Sequence, residues 1–129
     1  MNEEKILEIL VQLRKTYNLL GEVMDLSMQM AEALDREDQI SFKMLLPMRR
    51  EPIQNLAHAK EIIMELLSEF PADDAAQIRK VLNGSKPQSV TLQQIAEQTA
   101  SNGRLWEKVN RIDMQLNRKI THEQSVYHD

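Results

Sequence analysis

The sequence predicts an all-α fold: an elongated antiparallel bundle of three long helices, with a short helix between the second and the third. Three observations carry this expectation. Glycine and proline are sparse, 3 and 4 in 129 residues. Leu, Met, Gln, Glu, Lys and Arg, all good helix formers, abound, while Val, Thr and aromatic residues are scarce. Apolar residues also recur at helical spacing over long runs. The length suits one domain, 1–129, and with only 1 Trp, 2 Tyr and 2 Phe the core must be built mainly from Leu, Ile and Met.

The first helix is expected over about 2–34. Ile6, Leu10, Leu13, Tyr17, Leu20, Met24, Ser27, Ala31 and Leu34 follow spacings of four and three in alternation, an unbroken seam of the kind that packs helix on helix. A second stripe, Leu19, Val23, Leu26 and Met30, widens the apolar face and suits a bundle. "DRED" offers a turn, and Asp38 is placed to cap the next helix.

The second helix is expected over about 39–70, with a seam of Phe42, Leu46, Ile53, Leu56, Lys60, Ile63, Leu67 and Phe70. Pro47 and Pro52 each lack the N–H of a helical bond and press on the preceding turn. A kink or break is therefore expected at 46–52, with Arg49 and Arg50 solvated at the bend. A short helix follows over about 74–83, capped by Asp73 or Asp74 and stopped by Asn83–Gly84. Thr91 and Gln94 fit a capping box for the third long helix, about 91–123, after which "EQSVYHD" is expected to fray. On that helix Ile95, Leu105, Val109, Ile112, Leu116 and Ile120 share a face, with Asn102 and Asp113 inside it and Trp106 at its edge.

Chemistry is hard to find. There is no cysteine, so thiol catalysis, disulfides and Cys-ligated zinc are excluded. The three glycines are scattered, which leaves no phosphate loop, and His58, His122 and His128 fall in no metal-ligand spacing. No catalytic residue, cofactor site or metal site is expected, and the chain is read as a non-enzyme. A net charge of -4 argues against nucleic acid as a partner, and the basic residues of the last helix read as a solvated face. No apolar run reaches the roughly 20 residues of a membrane span, and "MNEEKILEIL" lacks the basic start of a signal peptide. A cytoplasmic protein without membrane insertion is the expectation.

Two features invite a partner. Met24, Met28 and Met30 cluster late in the first helix, while Met44 and Met48 flank Pro47. Such side chains serve adaptable binding surfaces, although filling a core short of aromatics is the favoured reading. Asn102 and Asp113 either pair within the bundle and fix its register, or mark a face left open.

The order of these features, Asp38, then "FKMLLPMRREPIQNL" with Phe42, Leu45, Leu46, Arg49, Arg50 and Ile53, then a long helix and finally "NGRLWEKVNRIDMQLNRKI", resembles the FlgN-like flagellar export chaperones. The prolines are a departure from that pattern. The resemblance implies a cytoplasmic chaperone of the flagellar type III export system. Such a protein binds the C-terminal segments of hook–filament junction proteins, keeps them unassembled and delivers them to the export apparatus. The partner surface expected on this basis lies around Asn102, Leu105, Trp106, Val109, Ile112 and Leu116, with the Met24–Met28 end of the first helix as a second candidate. The competing expectation is a coiled-coil scaffold whose heptad seam pairs between chains, and a homodimer is compatible with either.

Overall fold

In the computed structural model the backbone is described for residues 1–128 and the side chains for residues 1–122. Four α-helices make up the chain: α1 (Glu3–Asp35), α2 (Gln39–Ser68), α3 (Ala72–Leu82) and α4 (Gln93–His128), the last entered through a single 3-10 turn at Val90–Leu92. No strand occurs among the described residues. The side chains of the tail expected to fray, 123–129, lie outside the described ones.

Local chemistry sets the helix ends. Asn2 accepts a hydrogen bond from the Lys5 N–H and caps α1. At its other end the chain reverses through Glu37, whose φ of 57° is left-handed. The Asp38 N–H reaches the Ala33 carbonyl and the Glu37 N–H reaches that of Leu34, so two orphan carbonyls are satisfied. Asp38 then caps α2, accepting from both the N–H and the hydroxyl of Ser41, and these bonds hold its carboxyl below the ordinary carboxylate value. Gly84, with φ of 100°, closes α3 by the same double bond pattern.

Two expected caps are corrected. Asp73 and Asp74 lie inside the first turn of α3, behind Pro71, and make no cap bond. They act there as charges at the positive end of the helix dipole. Thr91 is part of the 3-10 turn and caps nothing.

A break at 46–52, one of the two forms of the expected interruption, is also corrected, because α2 is helical across both prolines. The reason is packing. Leu45, Pro52, Ala59 and Leu66 are buried at intervals of seven residues. Pro52 is thus part of the line that holds the helix to its neighbours, and tertiary contact overrides the local proline penalty of about 3 kcal/mol.

Contacts between helices fix their order. Lys5 meets Glu69, and Arg49 meets Ser27, so these pairs run in opposite order along α1 and α2. Asn102 meets Leu13 and Lys119 meets Asp35, in the same order along α1 and α4. The long helix α1 packs against both α2 and α4. That is why its buried positions, among them Ile9, Leu13, Leu20, Val23, Ser27, Met30 and Ala33, spread wider than one seam. Tyr17, a member of the expected seam, is 42% exposed.

The core is uneven along this length. Its base is the largest part, where Ile78 and Val81 of α3 join Ile9, Leu13, Leu66 and Ile95 from the neighbouring elements. The top gathers Met30, Leu45 and Leu116. Between them the buried hydrophobic cluster is only Leu20, Val23 and Val109, with Met24, Leu56 and Leu105 packed partly against it. The middle is thin because α3, at 11 residues, ends below it. Three helices surround a space that four would fill.

Candidate functional site

That thin middle opens as an apolar groove of about 660 Å³. Its floor is α1, through Leu13, Thr16, Leu20 and Val23. One wall is α2, through Ile53, Leu56, Ala57, Lys60 and Ile63. The other is α4, through Thr99, Asn102, Gly103, Trp106, Val109 and Asp113. Each set follows the three-and-four spacing of a single helix face, so three amphipathic stripes converge on one trough. Ile53 is 43% exposed and Trp106 49%, which leaves two large apolar side chains facing solvent on opposite walls. Exposed apolar surface gathered in a concave site marks a place for a partner more often than apolar residues scattered singly.

Polar side chains tie the groove at both ends. At the base, Asn102 donates its amide to the Leu13 carbonyl at 2.9 Å and accepts from Gln98 at 3.0 Å. At the top, Arg49 reaches Asp113 at 2.9 Å and the Ser27 hydroxyl at 3.3 Å, joining all three long helices at one level. Arg49 is therefore not solvated at a bend; it is half-buried, while Arg50 is exposed. Asn102 and Asp113, for which two readings were open, both find partners inside the bundle. Among the lining residues only Lys60 and Asp113 carry charge.

The expected site residues divide on this geometry. Asn102, Trp106 and Val109 line the groove. Leu105 packs partly beneath it, against the middle core. Ile112 is half-buried and outside the lining. Leu116 is wholly buried with Met30 and Leu45, so it offers no open surface. On α1, Met24 packs against the middle core, whereas Met28 is 46% exposed and lies away from the groove.

The favoured reading of the methionines as core filler is corrected as well. Only Met30 is buried, and Met28, Met44, Met48, Met64 and Met114 are exposed. The groove itself contains no methionine.

The α2 wall was not foreseen as part of a site. Its signal lies in the sequence as the seam Ile53, Leu56, Lys60 and Ile63, interrupted by a charge at its centre. A second signal was length, since a short helix beside three long ones leaves a gap above its end.

Among the described residues no three His, Asp or Glu side chains come together as a metal site, and no helix is long and apolar enough to cross a membrane. No protein-family model, curated protein or solved structure matches the chain.

Proposed function

We propose that this protein is a cytoplasmic export chaperone of the FlgN-like type. In this reading it binds the apolar C-terminal helical segment of hook–filament junction proteins, keeps them from assembling early, and passes them to the type III export apparatus. The observation that carries the proposal is the groove between α2 and α4. An amphipathic segment that would self-associate when free can bury its apolar face on Leu20, Val23, Leu56, Trp106 and Val109, by the helix-in-groove mode. Neither catalysis nor a cofactor is required for this task. The resemblance of "FKMLLPMRREPIQNL" and "NGRLWEKVNRIDMQLNRKI" to that family supplies the identity of the partner. The molecule is read as an elongated three-helix bundle, up, down and up, with the fourth place vacant beyond α3.

The alternative, a scaffold pairing through the α1 heptads, draws less support. Leu10, Leu13, Leu20 and Ser27 of that seam are already buried within the chain.

The test is titration of the purified protein with C-terminal fragments of hook–filament junction proteins, followed by heat and by the emission of Trp106, the sole tryptophan. Saturable binding at micromolar concentration with a blue shift of Trp106 is the expected result. Folded protein that gives neither signal at tens of micromolar overturns the proposal.

A further inference from the structure

We propose that the groove accepts its partner helix in one direction only, with the helix N-terminus at Asp113 and its C-terminus at Lys60. This rests on the groove being the partner site and adds the polarity of what binds there.

The occupant it fits is an amphipathic helix of about four turns. Thr99 and Asp113 bound the α4 wall, and their separation of 14 positions spans about 21 Å at 1.5 Å per residue. A helix ending within such a groove brings unsatisfied N–H groups at one end and unsatisfied carbonyls at the other, with partial positive and negative charge to match. The groove is polarised in the complementary sense. At the top, the Asp113 carboxylate is an acceptor; it is 40% exposed, against 19% for its partner Arg49. It sits at the level of Ser27 on α1, by way of Arg49.

The lower half holds a cation. Lys60 lies seven residues further along α2 than Ile53, towards the base, and makes no ion pair among the described residues. Thr99 lies on the opposite wall, but its Oγ1 is buried and closed off from the groove surface. Nearby Asn102 has its amide and its oxygen already engaged. The Lys60 ammonium would face the negative end of a docked helix's dipole. The reverse direction sets N–H groups against a lysine and carbonyls against a carboxylate. The docked helix therefore runs the way α2 does, against α1 and α4.

The chain has no cysteine, so single labels can be placed cleanly. Ala100 and Met114 are exposed on α4 near the two ends of the groove. The probe is a 15-residue Leu/Ala/Gln amphipathic peptide, acetylated and amidated, carrying a spin label at its first or last residue. Distances are read to a second label at Ala100→Cys or Met114→Cys of the full chain.

The N-terminal label is expected to lie nearer position 114 than position 100, by about 10–20 Å, with the order inverted for the C-terminal label. Lys60→Glu is expected to weaken the peptide about three- to ten-fold. Equal or inverted distances overturn the polarity while leaving the groove as a binding site, as does an affinity indifferent to Lys60→Glu. A peptide that does not bind at hundreds of micromolar overturns the polarity too, whereas the chaperone reading stands or falls on the junction-protein fragments.

Discussion

Gly103 sits in the interior of α4, where alanine would make the better helix, and a Cβ built on it meets nothing within 4 Å. Gly21 occupies the same situation in α1. The difference is that Gly103 lines the groove and Gly21 does not. Each Gly→Ala change should therefore raise stability by about 1 kcal/mol through backbone entropy and helix propensity. Only Gly103→Ala narrows the trough, so it should bind a partner helix more weakly while Gly21→Ala binds it as the wild type does. Chemical denaturation and titration of both variants check the two halves of this expectation. Single residues were partly legible in advance. Asn102 and Asp113 stood out because each interrupts an apolar stripe, and Asp38 stood out as a cap. What could not be read was the distant partner of Asn102 or of Asp113, because Leu13 and Asn102 are 89 positions apart, Arg49 and Asp113 are 64 apart, and no local pattern joins them.

At the scale of elements, α2 and α4 are joined at one level by Arg49 and Asp113, with Ser27 of α1 completing the contact. Half-buried charge pairs of this kind contribute more to register than to net stability. Arg49→Met and Asp113→Asn should each lower stability by about 1–2 kcal/mol. Their double variant should lose less than the sum, with a coupling of about 0.5–1.5 kcal/mol. Strict additivity in urea unfolding would show that the two side chains do not act together. The same pair explains why the proline-rich stretch misleads. Local rules weigh Pro47 and Pro52 against the helix, but Arg49, Ile53, Leu56, Lys60 and Ile63 continue the seam towards α4 and the groove. On its flank Leu45, Pro52, Ala59 and Leu66 form a buried line. Periodicity told which sides of α2 were apolar; only the assembled helices tell that one of those sides is half left open.

The whole molecule is a bundle filled by four elements at its base and by three above. All-α character was legible from composition and spacing, since both follow from the chain's own residues. The vacancy was not, because it depends on where α3 stops relative to its neighbours. Its consequence is that Ile53 and Trp106 remain exposed across an apolar trough instead of closing on each other. The most direct test of the account compares wild type with Ala57→Glu in calorimetric titrations with the C-terminal fragment of a hook–filament junction protein. Ala57 lines the groove and is exposed, so the folded state tolerates the change. The account predicts micromolar binding by wild type and at least about a ten-fold loss in the variant, the cost of setting a charge against an apolar helix face. Equal binding by both proteins, or none by the wild type, would contradict it.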